Sequence, residues 1–352
     1  MPIDVALLAK VCEVPGAPGF EKKIRELVVS QLKGLADEVR IDNMGNVVAL
    51  KKGRSSKMKT MAAAHMDEIG FIVTHVDEQG FVRFNPVGGF DPKTLTSQRV
   101  IIHGRSDLLG VMGSKPVHIM TAEEKNKIPQ IKDYFIDTGL TKEAVDKIVG
   151  VGDFVTRYSP LMELGDCVNV KSLDNRASVF VLLETLRELK RSKRKPAYDF
   201  YAVFTVQEEV GLRGAQASAL QIQPDFGFGL DTTIAYDVPG STPQERCTAL
   251  GEGAAIKLMD SSVICDYRMI AYMKATAGRH KIKWQPEILA AGGTDTASLQ
   301  RMVGGGSITG AVSIPTRHIH QTIETCHKED IAACIELLAA CVCELDGHDW
   351  SF

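Results

Sequence analysis

Nowhere does this 352-residue chain run apolar for the roughly 18 to 20 residues that a bilayer-spanning helix needs. None of its eight cysteines forms a C-x-x-C pair, so neither a zinc-finger spacing nor a disulfide framework can be read from them. There is no G-x-S-x-G elbow and no cysteine beside a motif, which leaves serine and cysteine hydrolase chemistry without support. A dense basic block is also missing. The formal net charge is -3, and the one positive cluster, KRSKRK (Lys190 to Lys195), follows a helical pattern and reads as a solvated helix C-terminus. No nucleic-acid or membrane partner is therefore expected. The opening MPIDVALLAKVCEV carries Asp4 and Lys10 inside its apolar patch and lacks a small-residue cleavage site, so it does not read as a secretory leader. Scattered cysteines, with Cys341 and Cys343 expected as core thiols of a C-terminal helix, suit a reducing cytoplasm.

What is present is an ordinary globular composition, 44% hydrophobic and 24% charged, long enough for about two domains of roughly 150 residues. NVVALKK and KTMAAAHMDEIGFIV read as strands, the second central because it is almost continuously apolar. Helices are expected over 21–35, 141–149, 262–276 and 328–344. From about His75 to Leu164 short strands alternate with Gly and Pro turns (GFVRFNPV, QRVIIHG, LLGVMGS), the texture of a small β-rich domain inserted into a larger one. On either side, strands alternate with helices. The expected fold is therefore α/β, a mostly parallel sheet covered by helices on both faces, formed by 1–74 and 165–352 with 75–164 inserted.

Five short segments place metal-ligand residue types at or just past strand ends, where open α/β sheets build their sites. They are AAHMDEIG (His65, Asp67, Glu68), SLDNRAS (Asp174), VQEEVG (Glu208, Glu209), GLDTT (Asp231) and RHIHQ (His318, His320). Any one alone is weak; together they form a His and carboxylate set suited to zinc, cobalt or manganese. They are too many for one catalytic ion with three protein ligands, and suit two ions about 3.5 to 4 Å apart sharing a carboxylate. AGGTDT (Ala291 to Thr296) lacks the Lys-Ser/Thr ending of a phosphate loop. His75, His103, His118, His280, His327 and His348 have no partner pattern and are expected to be structural or exposed.

The order H-x-D, L-D-N-R, Q-E-E-V-G-L-R-G-A, D and R-x-I-H closely resembles the dinuclear metal aminopeptidases that include the tetrahedral, glutamyl and deblocking enzymes. The resemblance covers nearly the whole chain. It implies that His65 and Asp231 hold one metal, that Glu209 and His320 hold the other, and that Asp174 bridges them. It also implies that Glu208 is the general base and that Asp67 orients the His65 imidazole. The loop Gly292, Gly293, Thr294 and Asp295 would border the substrate, and the assembly would be a homo-oligomer, a hollow tetrahedral dodecamer or dimers, admitting short peptides. Two departures stand out: PGAPGFE replaces a Pro-Ser-Gly-Phe-Glu run, and His318 stands where an aromatic is frequent. In an extended segment His318 and His320 would share a face, and only the resemblance selects His320.

The expected activity is removal of N-terminal residues by attack of a hydroxide bridging two metals. A glycoside hydrolase is the competing enzyme reading, since sequences of this type are sometimes labelled endoglucanase, but the oxocarbenium route needs two carboxyls and no such ligand set. A non-catalytic metal- or peptide-binding protein would be favoured if Glu208 were absent, and it is present.

Overall fold

In the run KTMAAAH successive side chains leave the backbone on opposite sides, and the computed structural model, which describes residues 2–352, buries both sides. Ala62 and Ala64 join one core with Phe180 and Leu338; Met61 and Ala63 join another with Ala215 and Leu299. The strands before the insertion are β1 (Glu38–Ile41), β2 (Val47–Lys51) and β3 (Ser55–His65). After it come β10 (Met162–Leu164), β11 (Cys167–Val170), β12 (Tyr198–Thr205), β13 (Phe226–Ile234), β14 (Ala254–Met259), β15 (Trp284–Ile288), β16 (Ile308–Arg317) and β17 (Glu324–His327). The sheet order is β1-β2-β12-β3-β13-β16-β17-β11-β10, with β14 and β15 attached beside β16.

The expectation of a mostly parallel sheet needs correction: four of its strand pairings are parallel and six antiparallel. Parallel pairing is confined to the block β12, β3, β13 and β16 and to β14 with β15. The flanks are antiparallel. β1 and β2 are joined by a tight turn in which Asp42 Oδ1 accepts the N–H groups of Met44, Gly45 and Asn46. β1 and β10 are exposed along their whole length, so no buried apolar pattern marks them in the sequence.

The insertion is a closed six-stranded barrel, β4 (Gly70–Val76), β5 (Val82–Val87), β6 (Arg99–His103), β7 (Asp107–Gly113), β8 (Phe135–Asp137) and β9 (Phe154–Arg157). Its own core gathers around Phe71, Ile102, Tyr134 and Ile136. The expected bounds 75–164 fall inside β4 and past β9, because β4 follows His65 with no Gly- or Pro-rich linker and β10 belongs to the large sheet.

The helices are α1 (Val5–Glu13), α2 (Lys22–Gln31), the short α3 (Ala122–Lys125) and α4 (Lys142–Val145), α5 (Leu173–Arg191), α6 (Arg213–Ile222), α7 (Tyr267–His280), α8 (Thr296–Arg301) and α9 (Lys328–Glu344). The helix expected over 328–344 coincides with α9, while the one expected over 141–149 is the single turn α4. The helix expected from 262 starts at Tyr267. Asp260 Oδ1 ties Ser262 and Val263 into a turn, and Asp266 caps the helix by accepting from the Arg268 N–H. Gly229 on β13 lets α8 approach, since a Cβ there would collide with Thr296. All eight cysteines are free, and no described helix is long and apolar enough to cross a membrane.

Candidate active site

Because β3, β12, β13 and β16 run parallel, their C-terminal ends meet at one edge of the sheet. His65 ends β3 beside Thr205 at the end of β12, and Asp231 lies near the end of β13. The chain leaves β12 into QEEVGLRG, and β16 into RHIHQ. Asp174 arrives from the start of α5, where it and Asn175 lie outside helical backbone angles before the regular helix begins. Among the described residues, five of the nine non-glycine positions with positive φ border this edge: Ser172, Gln207, Leu212, His318 and His320. Sparsely populated backbone of this kind gathers where surrounding structure holds it for function.

Successive side chains of an extended chain point to opposite sides, so Glu208 and Glu209 can face one site only where the chain turns, and it turns here. Gln207 has φ 56, and the Glu208 carbonyl accepts the N–H groups of Gly211 and Leu212, both at 2.9 Å. Asp67 pins the outer side of this turn: the Glu208 N–H donates to its Oδ1 at 3.0 Å and the Glu209 N–H to its Oδ2 at 3.1 Å. Asn46 accepts the Val206 N–H, and Glu21, from PGAPGFE, accepts that of Gln207. On His65 the Nδ1–H donates to the Asp67 carbonyl at 3.1 Å, while the Asp67 carboxylate stands 3.5 Å away. A carbonyl only accepts, so Nδ1 carries a proton, and Nε2 faces the other carboxylates.

Two triads share Asp174. His65, Asp174 and Asp231 form one; Asp174, Glu209 and His320 form the other. His65 Nε2 lies 3.4 Å from Asp174 Oδ1 and 3.8 Å from Asp231 Oδ1, and His320 Nε2 lies 3.4 Å from Asp174 Oδ2 and 3.5 Å from Glu209 Oε2. Ligands about 2.0 to 2.2 Å from a tetrahedral ion stand roughly 3.3 to 3.6 Å apart, which these separations approach. Burial pushes the Glu209 carboxyl up to about 7, with Asp174 adding to it, and drives Glu208 and Asp231 well above the usual carboxylate range. Glu209 Oε1 is buried with no hydrogen-bond partner among the described residues. So many carboxylates with so few donors is a cavity wall that suits divalent cations. For His65 and His320 burial opposes protonation, but the surrounding carboxylates outweigh it and raise both, His320 to about 9. At Asp174 burial is outweighed by the imidazoles of His320 and His65, which hold it below its ordinary range.

Glu208 belongs to neither triad and stands 3.7 Å from His65 Nε2. It faces an open cavity of about 640 Å³ that is also lined by Phe90, Lys257, Leu289 and Ile319. Gly292, Gly293 and Thr294 line this cavity, and Asp295 does not. It is buried beneath the loop, where its carboxylate accepts the Thr205 hydroxyl. Glu68 also turns away, into a buried cluster with Lys171 Nζ at 2.7 Å and Arg176 at 3.6 Å. His318 is exposed. Its φ of 60 and the 65 of His320 show that the segment is not extended, so the two rings do not share a face. One residue escaped the sequence reading: Glu324 accepts backbone N–H groups from both Asp174 and His320. Its only sequence signal is a carboxylate four positions after the candidate ligand His320.

The lysyl aminopeptidase of Pyrococcus furiosus is 31% identical over 358 residues, covering 99% of each chain. A TET aminopeptidase from a marine sediment Thaumarchaeota archaeon is 33% identical with a TM-score of 0.94, covering 97% of this chain and 96% of that one. The TET1 peptidase of Pyrococcus horikoshii, described as assembling into a tetrahedron or a large octahedral shell, is 30% identical with a TM-score of 0.86, covering 97% and 99%. The profile of the M42 glutamyl aminopeptidase family matches residues 45–337, and with the fold and the double triad this places the chain in that family of peptidases.

Proposed function

We propose that the chain is a metal-dependent aminopeptidase that removes N-terminal residues from short peptides. The observation that carries this reading is a pair of ligand triads sharing Asp174, with Glu208 beside them and in neither. His65 and Asp231 would hold one divalent ion, Glu209 and His320 the other, and Asp174 would bridge; zinc, cobalt and manganese all accept this N/O donor set. Bound there, two such ions supply Lewis acidity toward the scissile carbonyl and lower the pKa of water.

The protein does the rest. Glu208 faces the cavity and takes the proton of the attacking water, then delivers it to the departing amine. Asp67 fixes the turn that separates Glu208 from Glu209 and orients His65 through its carbonyl. Gly292, Gly293 and Thr294 position the substrate, with Asp295 acting beneath the loop rather than on the peptide. The two segments flanking the barrel form the catalytic unit, and the barrel, spanning 70–157 rather than the expected 75–164, is the access and contact domain. Homo-oligomerisation in a tetrahedral dodecamer or dimers is supported by the solved relative that forms closed shells and by apolar side chains, Leu109 and Val111, on the outer face of β7.

The test is a panel of aminoacyl chromogenic substrates with stripped protein reloaded with zinc, cobalt or manganese, and cellulose derivatives alongside. Metal-dependent release of the N-terminal residue is expected; cleavage of the cellulose derivatives alone would overturn the reading.

A further inference from the structure

A carboxylate outside both triads holds two of their members in place. Glu324 opens β17 and is fully buried. Its Oε2 accepts the Asp174 N–H at 2.9 Å and its Oε1 the His320 N–H, also at 2.9 Å. Neither segment has regular structure of its own there. Ser172 has φ 55, Asp174 lies outside helical angles, and His320 has φ 65. One side chain therefore spans the shared ligand and the ligand histidine, whose Oδ2 and Nε2 stand 3.4 Å apart. It mirrors Asp67, which clamps Glu208 and Glu209 in the same manner from the opposite side.

Behind Glu324 stands a cation from the barrel. Arg157 is the last residue of β9, is 1% exposed, and brings Nη2 to 3.9 Å from Glu324 Oε1. Its guanidinium also lies 5.7 Å from the ring centre of Phe90, which lines the cavity. The inserted domain thus reaches the backbone clamp on Asp174 and His320 through a buried pair, beside the approach of Gly89 to the His320 ring.

We infer that Glu324 is a positioning residue that sets the metal affinity of the Asp174–Glu209–His320 half of the site, and that Arg157 couples the barrel to that half. The inference rests on the two-ion reading above. In Glu324→Gln the amide offers one acceptor oxygen and a donor group, so one of the two N–H groups loses its acceptor. Loss of groups that orient metal ligands typically lowers affinity roughly 10- to 100-fold.

The experiment strips wild type, Glu324→Gln, Arg157→Met and Arg157→Lys with chelator and titrates each with zinc alone. Bound metal per chain and the thermal midpoint are recorded with and without zinc. A ligand stabilises the folded state according to its concentration relative to Kd, so the zinc-induced rise in midpoint reports affinity apart from the stability of the stripped chain. Glu324→Gln is expected to keep one ion at wild-type affinity and bind the second roughly 10- to 100-fold more weakly, with a smaller zinc-induced rise. Arg157→Met should move in the same direction and Arg157→Lys should recover part of the loss, which carries the test if Glu324→Gln does not fold. Zinc titrations unchanged in these variants, with midpoints lowered equally with and without zinc, overturn the inference and leave Glu324 a purely structural role. Wild type that takes up no zinc overturns the two-ion reading and this inference with it.

Discussion

Glu208 and Glu209 are adjacent in sequence and differ in surroundings. Glu209 Oε2 faces His320 at 3.5 Å, while its Oε1 is buried without a partner among the described residues, the environment of a group completed by a cation. Glu208 stands at the cavity wall, outside both triads. Replacing it by Gln keeps the shape and removes the base. We expect Glu208→Gln to lower kcat by roughly 10²- to 10⁴-fold while metal content stays at the wild-type level; turnover and metal analysis on the same sample check this. Glu209→Ala or His320→Ala should instead lower bound metal from two ions towards one per chain, and unchanged occupancy would refute the ligand set. The candidate ligands were legible in the sequence because each sits in a short motif at a strand end or loop. Glu324 and the inward turn of Asp295 were not, since both depend on which backbone groups fold back onto them.

At the scale of elements, β14 carries a lysine in the middle of a buried strand. Lys257 Nζ lies 2.6 Å from Glu287 Oε1 on β15 and 3.1 Å from Asp260 Oδ2, and all three residues are at most 2% exposed. Burial lowers the Lys257 ammonium's affinity for its proton, but Glu287 and Asp260 outweigh this and hold it charged. Asp260 also accepts the Thr294 hydroxyl, so the trio supports the loop over the cavity. Lys257→Met would leave two buried carboxylates without their cation, a loss of about 3 to 5 kcal/mol, read as a lower denaturant midpoint. KM should rise with it as Thr294 loses its anchor. The sequence located α9 to the residue because its apolar positions persist without competing turn chemistry. It misplaced α7 because Asp260 and Asp266, which look alike in the string, respectively tie a turn and cap a helix.

For the whole molecule, the barrel is the part that the proposed assembly would cover. Leu109 is 54% and Val111 46% exposed on a strand whose other face packs into the barrel core. Apolar side chains displayed in this way are expected to be covered in an assembly. Light scattering after size exclusion should give a multiple of the 38.4 kDa chain mass, and Leu109→Asp with Val111→Asp should reduce it. A wild-type protein that elutes as a clean monomer would contradict the proposed assembly.

The sequence by itself determined the candidate ligand types, the α/β character, the presence of an inserted β-rich unit and the family resemblance, because these depend on residue chemistry and short-range periodicity. Tertiary structure alone decided the mixed sheet, the barrel bounds at 70 and 157, the burial of Asp295 and the clamps made by Asp67 and Glu324. Strand direction, edge pairing and long-range backbone hydrogen bonds join residues far apart in the chain, Asp174 and Glu324 by 150 positions and Glu21 and Gln207 by 186. No local pattern encodes such a pairing; it exists only once the strands have brought their ends to one edge.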